Sequence, residues 1–198
     1  MASILTIIIE ILIFAYSIII HEISHGYAAL RKGDRTAWAS GRLTLNPLPH
    51  IDPWGSVLLP VTLFLLTHGQ FVFGWAKPVP INPYNFDNPK KDEAFVSLAG
   101  PLSNLVLATV LGAILRFWPN AAIADFLGLA VRLNISLAIF NLLPIYPLDG
   151  SHIFFYFFPN TEEFLTRYGY IILIVLMIGG LNFLSPIINF LFHLITGI

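Results

Sequence analysis

The sequence predicts an all-α polytopic membrane protein, a bundle of about five to six transmembrane helices, on three observations. Of its 198 residues, 57% are hydrophobic and 11% are charged, against about 25% charged residues in soluble domains. Several apolar segments approach the roughly 20 residues that a helix needs to cross a bilayer. Proline-rich stretches lie between them, and irregular backbone at membrane depth is tolerated only when it is buried in protein or lines a cavity. We therefore expect one integral-membrane domain over residues 1–198, with re-entrant hairpins or loops lining a buried site.

The first helix is predicted over residues 3–30, where Glu10 is the one charged residue before position 21. We expect this helix to be retained, because it lacks the basic region of a secretory signal. Residues 36–53 contain three prolines and the alternating stretch RLTL, which is typical of a short hairpin or an extended loop. Residues 54–67 are apolar but short for a full span.

The second half of the chain contains the clearer spans. Residues 69–93 are again rich in proline and predict irregular backbone. Two spans are predicted over 94–117 and 126–147. Residues 168–196 are apolar with a Gly-Gly break, which leaves open whether this segment crosses once or twice.

The stretch SIIIHEISHGYAAL, residues 17–30, places two histidines and a glutamate at the end of the first apolar segment. On a helix, His21 and His25 lie one turn apart on the same face, a spacing at which both imidazoles can bind one Zn²⁺ ion. Glu22 lies about 100° around the helix from His21, within reach of a water at the metal. Each charged residue at the centre of a membrane segment costs roughly 2.5–3.5 kcal/mol. The cluster therefore favours a zinc site over buried structural histidines.

A catalytic zinc site has three protein ligands and one open position for water. The chain has no cysteine, so the third ligand must be another His, Asp or Glu at the same depth. Most acidic residues fall in polar loops, whereas Asp149 ends a long apolar segment and precedes Gly150. Asp149 is therefore the favoured third ligand, and Asp52 and His50 are the reserve candidates.

Three motifs occur in an order that points to a known family: HEISHGYAA, AGPLSN at 99–104, and FNLLPIYPLDG at 140–150. They resemble the three motifs of the site-2 protease family of intramembrane zinc metalloproteases. The stretches GRLTLNPLPHIDPWGS and FGWAKPVPINP are similar to its small prokaryotic branch, which has no PDZ or CBS domain. The resemblance covers most of residues 17–155. Tyr146 departs from it, since many relatives have proline there, and this difference affects loop stiffness and not a ligand.

The resemblance implies a role for each matching residue. His21, His25 and Asp149 are implied to bind zinc, with Glu22 as the general base. Asn141 is implied to be an active-site polar residue that helps to hold the substrate or its oxyanion.

The metal site also predicts a topology. Ligands must meet at one depth, so the first helix and 126–147 should run in the same direction, with 94–117 opposed. The stretch 53–76 should leave and return on the same side. By the positive-inside rule, the end that carries the site lies in the cytoplasm of a multi-pass cell-membrane protein. The basic residues expected on that side are Arg31, Lys32, Arg35, Arg42, Lys77, Lys90 and Lys91.

Several other polar residues have open roles. Glu10 lies about 16 Å along the helix from His21 and either marks a water path or, more simply, pairs with another helix or is protonated. Asn104 is expected to orient a ligand or bond between helices, and Gly100 to allow close helix approach. Arg132 is expected to snorkel to the outer interface. Three histidines without a partner at ligand spacing are expected at interfaces or around the site: His68, His152 and His193.

The expected function is hydrolysis of peptide bonds within or near transmembrane segments, with zinc as the cofactor. The expected partners are a substrate transmembrane segment, which would pair with RLTL by β-augmentation, and the bilayer. A net charge of −1 gives no reason to expect nucleic-acid binding. The alternative is a non-catalytic zinc-dependent membrane protein, such as a transporter or an inactive relative. Transporters usually carry a repeated half, and this sequence contains none.

Overall fold

The computed structural model describes residues 3–68, 74–118 and 120–198, and within these ranges the chain is helical with no β-strand. This confirms the all-α membrane fold class. The helices of this part of the chain are α1 (Ile4–Arg31), α2 (Thr36–Ala39), α3 (Leu59–Leu66), α4 (Pro89–Phe117), α5 (Ala121–Asn141), α6 (Asp149–Phe157), α7 (Glu162–Gly179) and α8 (Ser185–Thr196).

Helices α1, α4 and α5 form the centre of the bundle. Each begins with a side-chain cap: Ser3, Asn88 and Asn120 accept a hydrogen bond from a backbone N–H of the first turn, which satisfies a donor that has no intrahelical partner. The ion pair between Lys32 and Asp92, at 2.8 Å, joins the end of α1 to the start of α4. Helix α4 is therefore antiparallel to α1.

Helix α5 is antiparallel to α4 and parallel to α1. Asn104 of α4 bonds Asn134 of α5 at 2.8 Å, and Ala108 of α4 shares a core cluster with Val131 and Ile135 of α5. Because α4 ends at Phe117 and α5 begins at Ala121, two helices that pack side by side across so short a connection must run in opposite directions. The first helix and the helix before Asp149 thus share a direction, as the topology prediction required.

The number of long helices is smaller than the five to six expected. Within the described residues, three helices are long and apolar enough to span a membrane, or up to four if the bent pair α7–α8 counts as one. The apolar helix at Pro53–Leu66, a π-helical stretch followed by α3, is too short to cross. The pair α7–α8 is bent by 80°. Lys90 pairs with Glu162 at the start of α7, and Gly197 lies beside Arg116 at the end of α4, so the pair traverses the bundle once.

Two element boundaries differ from the prediction. The span predicted over 126–147 ends at Asn141, because the proline-containing turn at 142–148 interrupts it, and Asp149 instead begins α6. Residues 36–53 contain α2 and a single 3₁₀ turn at Leu48–His50, joined by an irregular loop, so the loop alternative is confirmed and the hairpin is not. The expected return of 53–76 is present at its base, where Trp75 donates its N–H to the carbonyl of Gly55 at 3.1 Å; its middle, 69–73, lies outside the described residues.

Arg132 lies in the middle of α5 and is exposed; its expected snorkelling stays a prediction. Its guanidinium donates to Asn189 of α8 at 2.7 Å and stacks 3.9 Å from the ring centroid of Phe192. The aliphatic core beneath it joins Val131 and Ile135 to α8. Arg132 therefore fastens α8 to α5.

The end of α1 is tied to the segment before α4 by a buried carboxylate. Asp34 is fully buried and accepts hydrogen bonds from Thr36, from the N–H of Asn82 at 2.8 Å and from the amide of Asn85 at 2.7 Å. Burial alone would raise the pKa of Asp34, but these hydrogen bonds outweigh it and lower the pKa below its ordinary value. Asp34 therefore remains charged and holds residues 82–85 in place.

Candidate metal centre

The two histidines of the first motif face each other on α1. His21 and His25 are both buried, and their rings meet edge to face with centroids 4.7 Å apart. Their Nε2 atoms are 3.1 Å apart. The four-residue spacing on one regular helix thus brings two potential ligand atoms to one point.

The structure brings Asp149 to the same point. Its carboxylate oxygens lie 3.1 Å from Nε2 of His21 and 3.3 Å from Nε2 of His25. Asp149 is the first residue of α6, and the absence of a side chain at Gly150 allows that helix to start directly against the preceding turn. A Cβ built on Gly150 would lie 2.5 Å from the carbonyl oxygen of Leu143. Gly150 therefore positions the carboxylate beside the histidines.

Each imidazole uses its other nitrogen to hold the ring in place. Nδ1 of His25 lies 2.8 Å from the carbonyl oxygen of Val96, and since a carbonyl only accepts, Nδ1 carries the proton. Nδ1 of His21 lies 2.6 Å from Oδ1 of Asn104. This outer hydrogen bond is the usual device that fixes the tautomer of a metal-binding histidine.

A buried amide network sets the orientation of Asn104. The amide nitrogen of Asn134 donates to the carbonyl of Ala130 at 2.8 Å and to the hydroxyl of Ser17 at 2.9 Å. The side-chain oxygen of Asn134 therefore faces Asn104. The amide nitrogen of Asn104 donates to that oxygen at 2.8 Å and to the carbonyl of Ser17 at 3.1 Å. The oxygen of Asn104 is thus left to accept from His21 Nδ1–H. In the neutral form of each imidazole, Nε2 is therefore the nitrogen that carries the lone pair.

The resulting donor set fits a zinc ion. Three potential ligand atoms, two Nε2 and a carboxylate oxygen, converge in a buried place. Oδ2 of Asp149 is buried and makes no hydrogen bond within the described residues, although it lies close to His21. Two ligand atoms bound at 2.0–2.1 Å to a tetrahedral zinc lie roughly 3.3 Å apart, which matches the observed separations. A cation resolves the mutual repulsion of these atoms.

Gly100 leaves the space that the imidazoles occupy. A Cβ built on Gly100 would lie 2.6 Å from Cε1 of His21 and 2.6 Å from Cε1 of His25. The close helix approach expected of the AGPLSN motif is therefore an approach of the α4 backbone to the two rings.

Glu22 and Asn141 lie on elements that border the centre. Glu22 follows His21 on α1, and its Oε2 accepts a hydrogen bond from the backbone N–H of Val79 at 2.7 Å. Asn141 is the last residue of α5, and its amide donates to the carbonyl of Leu137 in the preceding turn at 2.9 Å. The catalytic roles implied for these two residues stay predictions.

The reserve ligands have other partners. His50 Nε2 donates to the carbonyl of Thr44 at 2.9 Å, and the carboxylate of Asp52 caps the helix that starts at Pro53.

His152 pairs with Glu93 at 3.2 Å and joins α6 to α4. Within the described ranges, His21, His25 and Asp149 form the one group of three potential metal ligands.

Two supporting residues escaped the sequence analysis. Neither Asn134 nor Ser17 belongs to a recognised motif. The one signal in the sequence was that Asn134 is an amide inside a largely apolar segment, where a polar group needs a partner. Asn104 was expected to orient a ligand or bond between helices, and the structure places it in both kinds of contact.

The comparisons with known proteins agree with zinc as the metal. The family model described as peptidase family M50 matches residues 118–178, which include Asn141 and Asp149. The putative zinc metalloprotease YwhC of Bacillus subtilis is 37% identical over 190 residues, covering 87% of this chain and 82% of that protein.

More distant relatives have similar names. The putative zinc metalloprotease Rip2 of Mycolicibacterium smegmatis is 34% identical over 82% of this chain and 63% of its own length. The putative zinc metalloprotease MJ0611 of Methanocaldococcus jannaschii is 28% identical over 76% of this chain and 71% of its own length. No solved structure matches. The chain therefore belongs to peptidase family M50, the site-2 protease family, and is a multi-pass membrane zinc metalloprotease.

Proposed function

We propose that the protein is an intramembrane endopeptidase that hydrolyses peptide bonds within or near transmembrane segments of other membrane proteins, as in regulated intramembrane proteolysis. The observation that carries this proposal is the convergence of His21, His25 and Asp149 inside a bundle of apolar helices. A hydrolytic centre built on a long membrane helix is suited to a peptide bond that lies at the same depth.

In this proposal His21, His25 and Asp149 hold the zinc, which leaves one coordination position open. When bound there, zinc supplies Lewis-acid chemistry, since it acidifies a water and polarises a carbonyl oxygen. Asn104 and the carbonyl of Val96 keep the two imidazoles turned towards the metal.

Glu22 is the proposed general base. One of its carboxylate oxygens removes a proton from the attacking water and then delivers that proton to the nitrogen of the departing amine. Asn141 is proposed to donate an amide N–H to the carbonyl oxygen of the scissile bond as negative charge develops there. The bond between Asn141 and Leu137 uses one of the two amide protons, so a second is available for the substrate.

The substrate is proposed to be a transmembrane segment that unwinds beside α1, and the active site is proposed to face the cytoplasm. The basic cluster supports this orientation: Lys32 at the end of α1 pairs with Asp92 at the start of α4, and Lys90 lies at the same end of the bundle. Positively charged residues flanking spans mark the cytoplasmic side. The proposed site lies towards that side of the membrane.

Replacing Glu22 by glutamine tests the proposal. We expect Glu22→Gln to lower the cleavage rate of a model membrane-protein substrate by roughly 10²–10⁴-fold, because the base is lost, while one zinc per chain is retained. Cleavage is measured on gels with protein in detergent or lipid discs, and zinc by elemental analysis.

Glu10→Gln is the matched control. Glu10 is an exposed carboxylate on the same helix, about 16 Å along the axis from His21, and its replacement should leave both zinc content and rate unchanged. Full activity of Glu22→Gln would refute the assigned base. Zinc binding by the wild-type protein without cleavage of any membrane substrate would instead favour a non-catalytic zinc protein.

A further inference from the structure

Residues 74–82 form an extended segment, here called the strap, that lies against the end of α1 containing the metal centre. Backbone and side-chain groups hold it along its length. Trp75 bonds Gly55 and Ser56 through its N–H and carbonyl, and the N–H of Lys77 donates to the carbonyl of His50 at 2.9 Å. The N–H of Asn82 donates to the buried carboxylate of Asp34. The strap is thus fixed at both ends.

A buried arginine fastens the centre of the strap. Arg42 is 6% exposed, and its Nη2 donates to the carbonyls of Lys77 at 2.6 Å and Pro78 at 3.1 Å. Because guanidinium hydrogen bonds to carbonyls are charge-assisted, this contact restrains the two residues that immediately precede Val79.

The strap approaches α1 closely because of Gly26, the residue after His25. A Cβ built on Gly26 would lie 3.0 Å from Cγ1 of Val79 and would collide with the side chain of Leu43. Val79 is 5% exposed. A bare helix surface at Gly26 therefore lets the backbone at Val79 lie within hydrogen-bond distance of α1.

Val79 presents the one N–H in the run Pro78-Val79-Pro80, because proline has none. A residue that precedes proline is restricted to extended conformations, so the direction of this N–H is fixed by the local sequence. It donates to Oε2 of Glu22 at 2.7 Å. The carboxylate of Glu22 is therefore held by a backbone group on a restrained segment.

We infer that the Val79 N–H is a positioning group for Glu22: it binds one carboxylate oxygen and thereby aims the other at the reacting water. This inference rests on the proposed role of Glu22 as the base. A carboxylate accepts several hydrogen bonds, so the bond from Val79 does not consume its capacity as a base. Val79 acts through Glu22 and does not itself touch the substrate.

Val79→Pro in the full-length protein deletes this N–H and keeps the extended backbone. We expect kcat on a membrane-protein substrate to fall by roughly 10–100-fold, since misplacing a reacting group by about 1 Å costs about 10²-fold. KM and zinc affinity, measured with a competing chelator, should stay at the wild-type values. Ala76→Pro is the control, because the N–H of Ala76 makes no hydrogen bond within the described residues; it should retain wild-type kcat.

A second comparison separates positioning from general damage to the fold. Asp is one methylene shorter than Glu, so the carboxylate of Glu22→Asp should not reach Val79. In that background, Val79→Pro should lower kcat by less than about threefold, because coupled residues are not additive. If Val79→Pro fails to accumulate as folded protein, Arg42→Gln, which weakens the hold on Lys77 and Pro78, should give the same fall in kcat at unchanged zinc affinity.

Three results would overturn the inference. A kcat of Val79→Pro equal to or above the wild-type value would mean that the strap does not position Glu22 or that it obstructs this base. A parallel loss of zinc affinity would indicate a structural role, as would an undiminished effect in the Glu22→Asp background. Failure of the proposed function is distinct, because the wild-type protein itself would then cleave no membrane substrate.

Discussion

Replacing Asp149 by alanine should empty the metal site and abolish cleavage. The two imidazoles that remain supply only two ligands and no negative charge, whereas a catalytic zinc needs three protein ligands. We expect zinc affinity to fall by more than the roughly 10–100-fold that follows loss of an outer-shell partner. Affinity is measured by competition with a chromogenic chelator, and zinc content by elemental analysis of the purified protein.

Asp125→Ala is the control for this change. Asp125 is an exposed carboxylate near the start of α5, at the end of the bundle opposite the metal centre. Its loss should change neither zinc content nor cleavage. If Asp149→Ala bound zinc with wild-type affinity, the carboxylate at the start of α6 would not be a ligand.

Replacing Gly100 by alanine should weaken zinc binding and slow cleavage almost as much as Asp149→Ala does. This is expected although neither glycine nor alanine has a side chain that can bind a metal. The added methyl group would overlap both imidazoles, so the rings must turn away and their hydrogen bonds to Asn104 and Val96 must break. Overpacking of this kind costs about 1–3 kcal/mol of stability. We expect weaker zinc binding and a cleavage rate reduced by at least about 10²-fold, given the sensitivity of catalysis to ligand placement.

Gly128→Ala provides the matched comparison on another helix of the bundle. A Cβ at Gly128 meets nothing within 4 Å, so the exchange should stabilise α5 by roughly 0.5–1 kcal/mol through helix propensity alone. Zinc affinity and activity should not change. Equal zinc affinities in Gly100→Ala and Gly128→Ala would show that the space beside the imidazoles is not needed.

The sequence contained enough information for the fold class and for the side chains that converge. Local periodicity suffices for His21 and His25, because residues four apart on one helix always share a face. Asp149 required one further argument, that the third ligand must lie at the same depth in an apolar segment. The membrane character followed from composition.

The errors arose where several tertiary contacts decide the outcome. The apolar run through residue 147 suggested one long helix, but the turn at 142–148 ends it, and Asp149 therefore starts a new helix. The expected five to six spans exceed the three or four found within the described residues, where the apolar helix at Pro53–Leu66 is short and α7 and α8 form one bent pair. The partner of Arg132, Asn189, could not be predicted because it is distant in sequence.

The surroundings of the metal centre were the least predictable part. The hydrogen bond between Asn104 and His21 joins residues 83 positions apart, and that between Val79 and Glu22 joins residues 57 positions apart. No local pattern contains such pairs. A buried asparagine in an apolar helix indicates that a partner exists, but the identity of that partner depends on how the helices pack.

X-ray absorption at the zinc edge of the purified wild-type protein tests the central claim most directly, because it reports the atoms bound to the metal. We predict one zinc per chain, with two imidazole nitrogens and light-atom oxygen ligands at about 2.0–2.1 Å, and loss of this spectrum in Asp149→Ala. A spectrum with one or three imidazoles, or one that persists unchanged without Asp149, would contradict a site formed by His21, His25 and Asp149.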